Sequence, residues 1–128
     1  MVNQQITTPH APQAIGPYSQ AVLAGEFLFI SGQLPIDPKT DKLVGDTIQA
    51  QTRQVLDNIA AILKEAGLSF VHVVKVDVFM KDLAEFQEMN AIYAEAFSHP
   101  VKPARATIQV AKLPLDVKVE ITCIAHVF

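Results

Sequence analysis

Tryptophan is absent from the 128 residues, and cysteine occurs once, at position 123. A lone thiol excludes an internal disulfide and a thiolate metal cage within one chain, so nothing demands an oxidising compartment. Positive charge is also scarce. Ten Lys and Arg stand against thirteen Asp and Glu, giving a formal net charge of -3. That balance argues against an electrostatic grip on nucleic acid, which needs clustered basic residues. No segment approaches the roughly 18 uninterrupted apolar residues of a membrane span. The opening "MVNQQITTPHAP" has no basic start followed by an apolar stretch. The expected compartment is therefore cytoplasmic, with neither a membrane nor a nucleic acid as partner. A Gly-rich phosphate loop, a nucleophile elbow, a paired-His zinc helix and a Ca2+ loop are missing as well. His10, His72, His99 and His126 lack ligand spacing, so no cofactor or metal is implied.

What is present is a chain of one-domain size, half of it hydrophobic and less than a fifth charged, which can bury a core unaided. "YSQAVLAGEFLFISGQ" reads as two strands about the Ala24-Gly25-Glu26 turn, and the Pro- and Asp-rich "LPIDPKTDKLVG" as a surface loop. From Asp46 to Ala66, the apolar residues Ile48, Val55, Leu56, Ile59, Ile62 and Leu63 recur at helical spacing. Asp46 and Gln49 suit a capping box and Gly67 a stop. In "FVHVVKVDVFM", Val74, Val76, Val78 and Met80 alternate with Lys75, Asp77 and Phe79, as in a central strand. A second helix follows Asp82, with Leu83, Phe86, Tyr93 and Phe97 on one face. Strands about 104–110 and 117–127 end a ββαβαββ order.

Two helices and five strands make an α+β layer with both helices on one sheet face. The other face would carry Phe27, Phe29, Val73, Phe79 and Ile124 beside Lys75, Asp77, Arg105, Thr107, Glu120 and Thr122. That mixture is too apolar for water and calls for a partner subunit, most simply another copy. Cys123 shares its parity with Val119, Ile121 and Ala125 and reads as a core residue.

In "PARATIQV", Arg105, Thr107 and Gln109 lie on one side of the strand, and Ala106, Ile108 and Val110 on the side expected to meet the helices. If the last two strands form a hairpin around Leu113, Glu120 falls near Thr107 and diagonal to Arg105. Either a structural ion pair or a polar site would result. Asn90 falls within the apolar arc of the second helix, where its amide needs a partner. Tyr18 and Ser31, the latter before Gly32, sit at opposite ends of the first hairpin, where loops often present functional groups.

The blocks "AIGPYSQAV", "ISGQLPIDPKT", "QTRQVLDNIAAIL", "VVKVDVFMKDLAEFQEMN", "PARATIQVAKLP" and "VKVEITCIA" resemble, in order and over nearly the whole chain, the reactive intermediate deaminase A or YjgF-like family. The resemblance implies an α+β, chorismate mutase-like single domain over residues 1–128, with a mixed sheet carrying two helices on one face. It also implies a homotrimer with active sites in the clefts between subunits. Family members hydrolyse 2-iminobutanoate and 2-iminopropanoate to 2-oxo acids and ammonia without a cofactor. Carried onto matching positions, Arg105 resembles the carboxylate anchor and Glu120 the residue that positions or activates water. Tyr18, Ser31, Gly32, Phe86 and Asn90 resemble pocket residues. Thr107 stands where many relatives have Cys, and Asp41 where Gly is frequent. A non-catalytic sensor of 2-oxo or amino acids, or a ribonuclease or translation inhibitor, are the alternative readings. A chorismate mutase would rest on fold alone.

Overall fold

The computed structural model describes residues 2–128. The chain runs β1 (Gln4–Ile6), β2 (Ala21–Ala24), β3 (Phe27–Gln33), β4 (Ile36–Asp37), β5 (Lys42–Leu43), α1 (Ile48–Glu65), β6 (Val73–Met80), α2 (Phe86–Ala96), β7 (Ala104–Gln109) and β8 (Val119–His126). Six strands form one mixed sheet in the order β1-β2-β3-β8-β6-β7, and β4 and β5 make a separate ribbon. Both helices pack on one face, giving the expected α+β architecture. β1 and the ribbon are additions to the five strands legible in the sequence. In the ribbon's turn Asp41 has φ 61, a left-handed conformation that favours the glycine frequent there in the resembling family.

The helices form as their periodicity requires. Ile48, Val55, Leu56, Ile59, Ile62 and Leu63 are all buried. The N-cap, however, is Thr47, whose side chain accepts from the Ala50 N–H, so Asp46 does not cap the helix. At the other end Gly67, with φ 77, allows the Leu68 N–H to reach the Leu63 carbonyl at 2.8 Å, a helix stop that L-residues resist. Asp82 caps a short 3-10 turn over Leu83–Glu85, and α2 proper begins at Phe86.

The expected hairpin of the last two strands does not form. β7 pairs with β6 in parallel, with Arg105 opposite Val76 and Thr107 opposite Val78. β8 instead inserts between β3 and β6, antiparallel to both. The cause is α2: a strand, a crossover helix and a second strand in one sheet return the chain parallel to its start. Residues 110–118 must then carry the chain past the end of β6 to the sheet centre. This connection contains Leu115 and Asp116, both at φ 56.

The register also reverses one face assignment. Val76 and Val78 are fully buried under the helices, so their partners Arg105 and Thr107 lie on the helix-covered side of β7, and Ala106 and Ile108 on the open side. A register shift between Val73 and Lys75 likewise leaves Val73 in the core, 3% exposed, and turns Val74 outward. The open face therefore loses Val73, Arg105 and Thr107 and gains Ile108. It remains apolar, with Phe27, Phe29 and Ile108 each more than 40% exposed.

Candidate active site

Arg105 is held from above by α2. Phe86, Asn90 and Tyr93 stand at i, i+4 and i+7 on that helix, a spacing that lines them up over β7. The Arg105 Nη1 donates to Asn90 Oδ1 at 2.7 Å, which supplies the partner that the half-buried amide required. The guanidinium carbon lies 4.6 Å from the Tyr93 ring centroid and 5.6 Å from that of Phe86, both within cation–π range. Among the described residues no carboxylate comes within 4.0 Å of Arg105. Among the described residues the guanidinium's only hydrogen bond is the one to Asn90. The guanidinium is thus oriented but not neutralised. It borders a cavity of about 450 Å³ lined by Asn90, Tyr93, Ala94, Phe97, Lys102, Pro103 and Arg105.

Tyr93 belongs to this constellation although the sequence marked it only as core. Burial pushes its phenol up from the ordinary value, and the adjoining Arg105 charge draws it partly back. Its hydroxyl is buried without a hydrogen-bond partner among the described residues, as is that of Thr107 on β7. The i, i+4, i+7 run through Asn90 was the signal that could have found it.

Glu120 lies elsewhere. It pairs with Phe79, which in turn pairs with Ile108, so it projects from the open face, opposite to Arg105. The two do not form one cluster within a chain, contrary to the hairpin expectation. Glu120 is set against the bulge in β3, where the register shifts between Ile30 and Gln33. A Cβ on Gly32 would meet the Glu120 carboxylate oxygen at 2.0 Å, so only glycine lets the carboxylate rest there. Glu120 makes no hydrogen bond or ion pair among the described residues. Burial pushes its carboxyl up from the ordinary value.

Ser31 and Tyr18 adjoin this second cluster. The Ser31 hydroxyl donates to the Ser19 carbonyl at 2.6 Å, which commits its proton and leaves its lone pairs. Tyr18 is half-exposed and its hydroxyl accepts from the Ile15 N–H at 3.3 Å. With Gly32, Ile15, Ile36 and Leu115 it lines a cavity of about 180 Å³. Gln20, unmarked in the sequence, secures that wall. Buried at 2% exposure, it accepts from the Thr8 N–H and donates to the Thr8, Ala11 and Pro12 carbonyls. Cys123 faces the helices and is buried, its thiol pushed up to about 12. It is a core residue, as its parity indicated.

The chain therefore carries two half-constellations on opposite faces of one sheet: a cation with an amide and aromatic rings, and a desolvated carboxylate against a glycine. Residues 8–127 match the family described as Endoribonuclease L-PSP. The chain belongs to that family. A RutC family protein of Pyrococcus horikoshii is 54% identical over 125 residues, spanning 98% of each chain. Reactive Intermediate Deaminase A, chloroplastic, of Arabidopsis thaliana is 48% identical over 120 residues, spanning 94% of this chain and 64% of that protein. The solved structure of a protein of unknown function of the conserved Rid protein family from Yersinia pestis superposes with a TM-score of 0.96 at 44% identity, covering 98% of this chain and 99% of that one. The Endoribonuclease L-PSP family thus includes a reactive intermediate deaminase, and the YjgF-like resemblance read from the sequence holds in the fold.

Proposed function

We propose that the protein is a cofactor-independent hydrolase converting reactive 2-imino acids, such as 2-iminobutanoate and 2-iminopropanoate, or their enamine tautomers, to 2-oxo acids and ammonia. It would do so as a homotrimer in the cytoplasm. The observation that carries this reading is Arg105: a guanidinium oriented by Asn90 and Tyr93, free of any carboxylate, at the edge of a cavity of ligand size. A guanidinium offers a planar carboxylate two parallel donors, which an ammonium cannot.

Glu120 completes the chemistry only across an interface. Because it projects from the face opposite to Arg105, one ligand meets both only when the open face of one copy covers the β7 edge of the next. The apolar residues of that face favour burial. A contact between two different patches builds a ring when its rotation closes, and the family resemblance suggests closure at three. In such a site the Glu120 carboxylate takes a proton from water as the water oxygen bonds to C2 and the C=N π pair moves to nitrogen. The carbinolamine so formed from the protonated imine collapses as Glu120 returns the proton to nitrogen, the C–N bond breaks with its pair on ammonia, and the hydroxyl oxygen closes the C=O bond while its own proton passes to the Glu120 carboxylate, releasing ammonia and the 2-oxo acid. Positioned proton transfer of this kind contributes about 10²- to 10⁴-fold.

Mixing inactive variants tests the reading. Arg105→Ala and Glu120→Gln chains are refolded together, and hydrolysis of 2-iminobutanoate generated in situ by a dehydratase is followed with semicarbazide as competing trap. If each site takes Arg105 from one copy and Glu120 from its neighbour, random rings regain about a quarter of wild-type sites. No recovery, with native mass spectrometry showing mixed trimers, refutes the shared arrangement. Wild-type protein that leaves imine decay unchanged refutes hydrolysis. The family's endoribonuclease description makes RNA the control substrate. The acidic balance of the chain predicts no cleavage that depends on Arg105.

A further inference from the structure

The charges around the cavity at the α2–β7 rim do not balance. Within one copy Lys102 and Arg105 both line it and no acidic side chain does, and the shared site proposed above adds a single carboxylate, Glu120, against these two cations. The other cavities differ: that between α1 and α2 offsets Arg53 with Asp57 and Glu95, and that beside the N-terminal segment offsets Lys64 with Glu65. The small cavity at Tyr18 and Gly32 has no charged lining. Lys102 is exposed at this rim, but its ammonium is held. Its Nζ donates to the His99 carbonyl at 2.6 Å, which fixes the ammonium and leaves two further donors. Pro103 stiffens the link between the two cations.

Two positioned cations around about 450 Å³ complement a small ligand with two negative charges. We propose that this site accepts dicarboxylic 2-imino and 2-oxo acids of four or five carbons, with Arg105 holding the carboxylate beside the reacting carbon and Lys102 the distal one. The inference rests on the deaminase reading for its chemistry, but the binding it claims does not require turnover. The reaction is the same hydrolysis: water adds to C2, ammonia leaves, and the second carboxylate takes no part beyond binding. Lys102 is thereby a residue that sets specificity.

The test is calorimetric titration of the full chain at low ionic strength, where exposed charges are least screened, with 2-oxoglutarate and 2-oxobutanoate as stable probes. In wild type the dicarboxylate binds more tightly. Lys102→Met keeps the apolar stem and lowers the preference, the ratio of the two dissociation constants, by about fivefold, while Lys102→Arg restores it. Arg105→Lys weakens both ligands. A preference unchanged in Lys102→Met, equal binding of the two probes by wild type, or no binding of either overturns the proposal. So does inorganic phosphate that binds more tightly than 2-oxoglutarate with the same dependence on Lys102, since the dianion held there would then be a phosphate. Binding as expected without hydrolysis of any 2-imino acid refutes the deaminase reading and leaves the dicarboxylate site standing. Hydrolysis confined to monocarboxylic imines does the reverse.

Discussion

The Arg105 and Glu120 regions are prepared in opposite ways. Arg105 is surrounded by groups that fix its direction, one hydrogen bond to Asn90 and two aromatic faces. Glu120 has no hydrogen-bond partner among the described residues, and its neighbour Gly32 contributes only missing volume. The first arrangement suits a binding group, whose value lies in geometry set before the ligand arrives. The second suits a proton acceptor, whose basicity rises when burial disfavours its charge and nothing stabilises it. One sheet thus holds an oriented cation on one face and a tuned carboxylate on the other.

The largest effect that should separate these roles is on Glu120. Glu120→Gln is expected to retain 2-oxo acid binding while hydrolysis at saturation falls about 10²- to 10⁴-fold; normal turnover with lost binding would reverse the assignment. In wild type the rate should decline as pH falls through the raised carboxyl value, since the base is then protonated. Stability runs the other way. The folded chain takes up this proton more readily than the unfolded one, so stability falls as pH rises from the ordinary glutamate value through the raised one. Glu120→Gln should therefore raise the melting temperature at neutral pH but not below the ordinary glutamate value.

Arg105→Lys comes next, with kcat/KM expected to drop about 100-fold as the bidentate grip is lost and the oligomer by light scattering unchanged. Gly32→Ala sharpens the contrast from the other side. The added methyl displaces the Glu120 carboxylate, the far end of a flexible side chain, so kcat should fall about tenfold with little change in melting temperature. A large loss of stability would mean that Gly32 serves the bulge and not the carboxylate. The smallest effect concerns Thr107, whose hydroxyl is buried and unpartnered. Thr107→Val should stabilise by about 1 kcal/mol and raise the melting temperature by a few degrees.

The sequence made the helices legible because six buried positions repeat at 3.6-residue spacing, and the first hairpin because Gly25 marks its turn with φ 59. Strand neighbours were harder. β7 and β8 are consecutive and of similar length, which favours a hairpin by proximity. Their separation by β6 follows from the α2 crossover, a relation between elements with no local residue signature. The face of Arg105 was misread for a related reason. Alternation assigns the apolar row of β7 to the core, but α2 meets this edge strand with Asn90 and Tyr93, and the apolar row joins the open face. Asn90 and Arg105 were each singled out without their contact being visible. Gly32 and Glu120 lie against each other only through a one-residue bulge that composition does not announce.

The placement of β8 also bears on how the molecule is made. The last of the sheet's strands in chain order, β8, occupies its middle, between β3 and β6. Until it emerges, the earlier strands form two separate fragments with exposed edges, each liable to pair with other chains. The sheet can therefore close only after β8 has emerged, and a chain lacking β8 would yield an aggregating product in place of a weakened fold.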